Sequence, residues 1–239
     1  MTRDSAFDAG RVAAEIRAAL HALPDRSTPS VRALRREYSR RLVRASADEV
    51  YEIATCLLDD ESNSPGHLRR FIAYELITRH RAALGSIDAK RLTRLGRGID
   101  SWGAVDTFGC YLSGPAWRAR HVPDALIVRW ARSRDRWWRR AALVSTVPLN
   151  RKTGGGTGDT PRTLMVCRML AGDRDDMVAK ALSWALRELA VRDPNAARAF
   201  LSEHKDVLAS RVRREVSNKL ATGLKSGRRH PPRGGRPSP

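Results

Sequence analysis

The chain has 239 residues, of which 41% are hydrophobic, so it can form one large domain or two small ones with a buried core. Lys and Arg number 45 against 26 Asp and Glu, and the net charge of +19 favours nucleic acid as a partner, with an anionic membrane surface or the ribosome as alternatives. Cys56, Cys110 and Cys167 are widely spaced and form no C-x-x-C pair. This pattern argues against a zinc site or a disulfide framework and favours reduced thiols in a cytoplasmic protein.

Apolar residues recur at helical spacing along most of the chain, and Ser, Asp and Pro residues mark the predicted helix ends. The predicted helices are, in chain order, 6–23, 31–43, one opened by a capping box from Ser46 to Glu49, one opened by Ser64-Pro65, 89–99, one that begins at Ser101 and ends at Pro115, 123–130, 137–147, 161–170, 173–191, one opened by Asp193-Pro194, and 207–224. Alternating hydrophobicity and long apolar runs are absent from the sequence, so we expect neither a sheet nor a membrane span. The sequence therefore predicts an all-α chain of helical hairpins stacked as a solenoid, with a compact irregular bundle as the structural alternative.

Residues 225–239 differ in composition from the rest, with five Lys or Arg, four Pro and no acid. Such a segment cannot bury a core, so we predict a disordered basic tail after a folded domain that spans 1–224. The tail either adds a non-specific electrostatic contribution to nucleic-acid binding or is a dispensable end.

A tryptophan and a carboxylate share one face of the predicted helix that begins at Ser101. Trp102 and Asp106 are four residues apart, so they lie on the same side of a helix. The apolar residues of this segment group on roughly the opposite face, and small residues lie beside the Trp–Asp pair. The predicted buried residues are Val105, Phe108 and Leu112, and the small neighbours are Gly103, Gly109 and Cys110. This face leaves room for a bulky group to approach the backbone.

Trp184 lies off the apolar face of the clearest predicted helix, 173–191, between Lys180 and Arg187. An aromatic ring flanked by cations suits base stacking and phosphate contact. The structural alternative is a tryptophan that covers the seam to a neighbouring helix, with the Lys and Arg stems lying over it.

Arg140 falls within the apolar stripe of the predicted helix 137–147, whereas Arg139 points elsewhere. A buried Arg needs a partner, because an unpaired buried charge is costly. That partner is a carboxylate such as Asp106, a ligand phosphate, or the acid of an ordinary structural salt bridge.

The Gly-rich stretch 151–158 lacks the P-loop pattern, and the six His are scattered without metal-ligand spacing. We therefore expect neither a nucleotide-binding loop nor a metal site, and we interpret 151–158 as a flexible basic connection.

Three stretches in fixed order resemble the AlkD-type DNA alkylation repair glycosylases, a family built from HEAT-like helical repeats. They are Ser101-Trp102-Gly103-Ala104-Val105-Asp106, Arg136-Trp137-Trp138-Arg139-Arg140-Ala141-Ala142, and Lys180-Ala181-Leu182-Ser183-Trp184-Ala185-Leu186-Arg187-Glu188-Leu189 followed by Asp193-Pro194. The last stretch is long and specific, and the first two gain weight in combination. The similarity covers residues from about 5 to about 222.

The resemblance implies an α-solenoid whose concave, basic surface holds double-stranded DNA containing alkylated bases. It also implies hydrolysis of the N-glycosidic bond of cationic alkylpurines, such as N3-methyladenine and N7-methylguanine, without flipping of the base into a pocket. Trp102, Trp184 and Asp106 would be the catalytic residues, and Arg140 would hold the DNA backbone.

The resemblance implies no cofactor and no metal, and we expect a monofunctional, monomeric enzyme in the bacterial cytoplasm, associated with the nucleoid. Further DNA-binding candidates are Lys180 and Arg187, which flank Trp184, and Arg139, which is next to Arg140.

One position departs from the family pattern, in which an acidic residue often follows the Trp of the first motif. Here that residue is Gly103, so we expect altered local packing and a face that could tolerate adducts bulkier than methyl. The competing hypotheses are a non-catalytic HEAT-like module that binds damaged or branched DNA and, more distantly, an RNA- or protein-binding scaffold. Asp106 favours the enzyme, because a protein that only binds has no need of this carboxylate.

Overall fold

The computed structural model describes residues 7–59 and 66–226, and every regular element within these residues is a helix. The predicted all-α, helical-repeat class is confirmed. None of the helices in this part of the chain is long and apolar enough to cross a bilayer. The tail predicted over 225–239 lies outside the described residues, apart from its first two positions. The chain divides into two compact units, Met1–Trp130 and Ala131–Pro239.

The first unit is a succession of helices joined by short turns. Its helices are α1 (Ala9–His21), α2 (Thr28–Arg41), α3 (Ala47–Leu58), α4 (Gly66–Arg79), α5 (Arg81–Gly85), α6 (Ala89–Leu95), α7 (Trp102–Phe108), α8 (Gly114–Arg118) and α9 (Asp124–Ala131), with a π-helical turn, Gly109–Ser113, between α7 and α8. Helices two apart in the chain pack on each other, α1 on α3 and α2 on α4, and α4 also packs on α7. Helical repeats bury a continuous core by this alternate-layer stacking.

The core of the first unit is aliphatic with a few large aromatic side chains. The Tyr74 ring meets the Phe108 ring edge-on at 5.6 Å between centroids, and the Tyr74 hydroxyl donates to the Leu95 carbonyl at 2.8 Å. Burial raises the pKa of Tyr74 above its ordinary value, so this phenol stays protonated and keeps donating. Each fully buried large side chain contributes about 1.5–3 kcal/mol through the hydrophobic effect.

Several helices begin at capping residues that the sequence marks, whereas the helix predicted from 207 begins at Ser210, and the predicted start at Ser64-Pro65 lies outside the described residues. The predicted capping box is confirmed, because the Glu49 amide N–H donates to the Ser46 hydroxyl at 3.2 Å and the Ser46 amide N–H donates to the Glu49 carboxylate at 2.6 Å. Asp88 caps α6 and Ser101 caps α7 with their side chains. A cap of this kind is worth about 1 kcal/mol.

The second unit is built around α12. Its helices are α10 (Arg136–Asn150), α11 (Thr160–Met169), α12 (Asp176–Arg192), α13 (Pro194–Glu203) and α14 (Ser210–Thr222), with a 3₁₀ turn, Lys152–Gly154, after α10. Helix α12 packs most extensively on α10 and α14, and it also contacts α11 and α13. Its buried face is the wide apolar face that the sequence predicts, which explains why this helix is the clearest in the chain.

The Gly-rich stretch 151–158 differs from the flexible connection that the sequence predicts. Arg192 Nε donates to the Asn150 carbonyl at 2.7 Å, and the same guanidinium also donates a hydrogen bond to the Gly156 carbonyl. A Cβ atom at Gly156 would lie 2.5 Å from the Pro148 carbonyl oxygen, so the close backbone approach requires glycine here. Contacts from a distant helix therefore fix this part of the loop.

The helix that begins at Ser101 does not end at Pro115, so that prediction is wrong. The chain continues through the π turn Gly109–Ser113 into α8. Proline has no amide hydrogen to donate to the carbonyl four residues before it, which is that of Tyr111. The Thr78 hydroxyl, which is also within hydrogen-bond distance of the Tyr74 carbonyl of its own helix, donates to the Tyr111 carbonyl instead. A contact from α4 thus supplies the hydrogen bond that Pro115 cannot make.

The π turn also changes the register of the residues that it contains. Its hydrogen bonds span five residues, as in the bond from the Gly114 amide N–H to the Gly109 carbonyl. Gly109 is buried, whereas the regular helical wheel places it beside Trp102, so that prediction is wrong as well. Gly103 and Cys110 remain partly exposed, as predicted.

Replacing Thr78 by Val removes the hydroxyl that serves the Tyr111 carbonyl and conserves the shape of the side chain. We expect the free energy of unfolding to fall by about 1–3 kcal/mol, because a carbonyl inside the packed helices loses its donor. Urea unfolding followed by circular dichroism measures the change. The matched control is Thr93→Val, whose hydroxyl donates at 2.6 Å to the Ala89 carbonyl, an acceptor that its own helix already serves. Equal losses in the two variants would contradict this role of Thr78.

Candidate functional site

Helix α7 displays Trp102 and Asp106 on its outer side. The Ser101 hydroxyl accepts from the Ala104 amide N–H at 3.4 Å, which starts the helix at Trp102. Trp102 is 61% exposed, and Asp106, one helical turn later, is partly buried. A large aromatic ring and a carboxylate are therefore presented together at the surface of the first unit.

Phe108 holds this helix against the core. Its side chain is fully buried, and its ring lies 5.6 Å from the ring of Tyr74 and 5.6 Å from that of Trp130, between centroids. Val105 is fully buried on the same side of α7. Aromatic contacts of this kind add about 0.5–1.5 kcal/mol each beyond the area that they bury. The direction in which α7 presents its outer residues is thus set by core packing.

An open groove of about 490 Å³ lies beside Trp102. Its lining combines apolar and basic side chains, among them Arg26, Val31, His67 and Phe71. Gly103 also lines the groove, and a Cβ atom added there would meet no atom within 4 Å. A bulky group can therefore reach the backbone of α7, as the sequence pattern predicts for this face.

A buried carboxylate next to this groove was not found by sequence reasoning. Glu75 is 1% exposed and accepts from Arg35 Nε at 2.9 Å and from Arg32 Nε at 3.3 Å. The Arg32 guanidinium also donates to the Tyr111 hydroxyl at 3.1 Å, and its carbon lies 5.4 Å from the centre of the Phe71 ring. The sequence does indicate a buried carboxylate here, because helical spacing places Glu75 among the apolar residues of α4. This cluster fixes a partly exposed cation, Arg32, beside the groove.

In the second unit, Trp184 lies half-buried on α12 with a cation over its ring. The Arg151 guanidinium carbon lies 5.1 Å from the ring centre. Glu188 accepts from Arg151 at 3.2 Å and from the indole N–H of Trp184 at 3.1 Å. An arginine therefore lies over the Trp184 ring, as in the structural alternative, but it comes from the loop after α10 and not from position 180 or 187. Stacking of a base on this ring stays a prediction.

Lys180 and Arg187 differ in their environments. Lys180 is partly exposed and pairs with Asp176 at 2.6 Å, a hydrogen bond that holds the pKa of Asp176 below its ordinary value. Arg187 is more buried, and its Nε lies 3.8 Å from the Glu215 carboxylate and donates to the Ser183 hydroxyl at 3.3 Å. Burial lowers the pKa of Arg187 from its ordinary value. Of these two DNA-binding candidates, Lys180 extends further into solvent.

Arg139 and Arg140 both bond to the chain that leads into α12. Arg140 is 5% exposed and donates to the Met177 carbonyl, so one partner of this buried Arg is a backbone oxygen. Arg139 Nε donates to Asp173 at 2.6 Å, and its Nη1 donates to the Ser133 carbonyl at 3.1 Å. These contacts join α10 to the start of α12. DNA contact by Arg139 and Arg140 stays a prediction.

The predicted site residues fall into two groups, each within one compact unit. The first group is Trp102 and Asp106 on α7. The second group lies on α10 and α12, and its members are Arg139, Arg140, Lys180, Trp184 and Arg187. In the part of the chain that the structure describes, no group of three or more His, Cys, Asp or Glu side chains is arranged to hold a metal ion.

Stacked helices and a large excess of positive charge define a helical-repeat protein suited to a polyanionic partner. Comparison with protein families makes the assignment specific, because residues 26–220 match the family described as DNA alkylation repair enzyme. The match covers most of the chain and both groups of predicted site residues, and the protein belongs to this family. A comparison with curated proteins finds no match.

Gly103→Ala tests the free space beside Trp102. We expect the free energy of unfolding to rise by about 0.5–1 kcal/mol, because Ala favours the helix and meets no atom at this position. Urea unfolding measures the change. Gly98→Ala is the contrasting control, because Gly98 has a φ of +67° and an added Cβ would lie 3.1 Å from the Arg70 guanidinium, so this variant should be destabilised. A loss of stability in Gly103→Ala would show that the space is not free.

Proposed function

We propose that this DNA alkylation repair enzyme is a monofunctional DNA-alkylpurine N-glycosylase. Its substrates are cationic alkylated purines in duplex DNA, such as N3-methyladenine and N7-methylguanine. The observation that carries the proposal is the Trp102–Asp106 pair, an aromatic ring that lines an open groove and a carboxylate one turn later on the same helix. Family membership supports a DNA substrate and a role in alkylation repair.

The reaction needs little from the protein beyond electrostatics and a positioned water. An N3- or N7-alkylated purine carries a positive charge, so it leaves as a neutral base when the C1′–N bond breaks and the bonding electrons move to the base. The sugar becomes oxocarbenium-like, water adds to C1′, and one proton is released. The products are a neutral alkylpurine, an abasic site and a proton.

Asp106 is the carboxylate that this reaction uses. Its negative charge stabilises the positive charge that develops at C1′, and its oxygens orient or deprotonate the attacking water. Because Asp106 is partly buried, its charge acts through a lower effective dielectric than that of bulk water. These steps require no cofactor and no metal.

Trp102 recognises the cationic nucleotide through the face of its ring. The ring stands at the surface, which favours contact with a lesion that stays in the duplex over flipping of the base into a pocket. The groove and the open space at Gly103 favour adducts that are bulkier than methyl.

Residues of the second unit bind DNA in this proposal. Trp184 is the aromatic residue that this unit contributes to the DNA contact, and Arg140 holds the DNA backbone. Lys180, Arg187 and Arg139 add positive charge, with Lys180 extending furthest into solvent.

The proposed enzyme acts as a cytoplasmic monomer on the nucleoid and starts base excision repair, because an abasic site must be processed by other enzymes. The net charge of +19 supports association with DNA of any sequence. The competing proposal is a non-catalytic helical-repeat module that binds damaged or branched DNA. The cations of the second unit are expected in both proposals. Asp106 supports only the enzyme, because a carboxylate repels phosphate and would weaken simple DNA binding.

Asp106→Asn removes the charge and keeps the size of the side chain. We expect the single-turnover rate of 7-methylguanine or 3-methyladenine release from alkylated duplex DNA to fall by about 10²- to 10³-fold, because electrostatic stabilisation of the transition state is lost. Chromatography of the released bases measures the rate.

The matched control is Asp100→Asn, an exposed acid in the turn before α7, which should keep the wild-type rate. Absence of release by the wild-type protein, with DNA binding intact, would overturn the glycosylase proposal in favour of the binding module. A full rate in Asp106→Asn would overturn only the assignment of this residue.

Trp102→Ala tests the aromatic contact. We expect kcat/KM for alkylated DNA to fall by about tenfold or more, because stacking of a base on an aromatic ring is worth about 1–3 kcal/mol. Trp102→Phe should recover most of the loss, and the thermal midpoint should not fall because the ring is exposed. Val43→Ala shortens an exposed apolar side chain that lies outside this groove and is the control. An unchanged kcat/KM in Trp102→Ala would exclude the contact.

A further inference from the structure

We infer that the first unit carries a second groove that binds the phosphates of a DNA duplex, separate from the groove beside Trp102. This second groove has a volume of about 1020 Å³ and is lined by α3, α4, α6 and α9 and by the turn after α6. The groove beside Trp102 is instead lined by α2, α4, α7 and the residues that precede α2 and α7. The inference concerns DNA binding and does not depend on the glycosylase reaction.

The second groove is strongly basic. Among the described residues, its lining contains six cations and two carboxylates. The cations are Arg70, Lys90, Arg91, Arg94, Arg97 and Arg129, and the carboxylates are Asp59 and Asp88. A cavity of this size with several cations fits an extended polyanion better than a single phosphate group.

Both carboxylates are engaged within the protein. Asp59 pairs with Arg94 at 3.2 Å, and Asp88 accepts from the Arg91 amide N–H at 2.7 Å as the cap of α6. The Arg91 guanidinium in turn pairs with Asp48. These acids therefore compensate the cations next to them and leave the other cations of the groove uncompensated.

Three cations of the groove face solvent without a hydrogen-bond or ion-pair partner in 7–59 and 66–226. They are Lys90, Arg97 and Arg129, and all three are exposed. Arg70 fixes the turn that carries Arg97, because it donates to the carbonyls of Arg97 and Gly98, at 3.0 Å each. Because the backbone that carries these cations is already ordered, binding costs only their side-chain entropy.

The aromatic residue of this groove favours backbone contact over base contact. The face of Tyr51 is covered by the Arg91 guanidinium, whose carbon lies 4.6 Å from the ring centre. This face of the ring is therefore closed to the base stacking on which single-strand binding relies. The groove is suited to the regularly spaced phosphates of a duplex, bound without regard to sequence.

The test is a variant that carries Lys90→Gln, Arg97→Gln and Arg129→Gln, compared with a charge-matched control, Arg44→Gln with Arg81→Gln and Lys205→Gln. The control removes one Lys and two Arg that are also exposed but lie outside the groove. Fluorescence anisotropy with an undamaged duplex, over a series of salt concentrations, measures affinity without any need for catalysis. Circular dichroism melting confirms that both variants are folded.

We expect the plot of log K against log salt to become shallower by about 2–3 in the groove variant, because each phosphate contact contributes about 0.9 to the slope. The control should keep the wild-type slope. Equal slopes in the groove variant and the control would overturn the inference. A loss of binding to phosphatidylglycerol vesicles with no loss for duplex DNA would assign the groove to a membrane surface and would also overturn it.

Discussion

The direction in which α7 presents its outer side chains depends on the burial of one side chain, that of Phe108. Its contacts with Tyr74 and Trp130 fix α7 against the core, so the outer side of the same short helix has a defined direction. Trp102 contributes little to this packing, since its side chain is mostly exposed. A core residue thus determines where α7 presents an aromatic ring and a carboxylate at the surface.

Net charge alone does not locate the surface that meets DNA, because arginine serves two purposes in this chain. Some arginines are internal links, such as Arg35 to buried Glu75 and Arg139 to Asp173. Others, such as Arg97 and Arg129, face solvent with no partner among the described residues. Both kinds look alike in the sequence, since a run of basic residues does not reveal which side chains reach a carboxylate on another helix.

The local sequence pattern was sufficient to predict the all-α class, the capping box and which residues of α7 face inward and outward. The residues that it placed inward, Val105 and Phe108, are buried, because the helical period decides which side of a helix meets the core. It failed where a distant residue decides the local structure. Pro115 stays within a helix because Thr78 on α4 serves the Tyr111 carbonyl, and no local rule contains that contact. In the same way, Arg151 lies over Trp184 because of the fold of the loop after α10.

The π turn after α7 has a consequence for comparing relatives. A π turn is equivalent to an α-helical turn with one inserted residue. The segments before and after the turn can therefore both pack on the core although the chain between them is one residue longer. Before the turn, the packing of Phe108 sets the outer face of α7, and after it the buried Trp117 donates its indole N–H to Asp124 at 2.7 Å. A relative that is one residue shorter between these two anchors would have a regular helix there and would keep both anchors turned toward the core, because the π turn only takes up the extra residue. Aligning such sequences without a gap would pair residues that point in different directions, so the segment must be aligned by its buried positions.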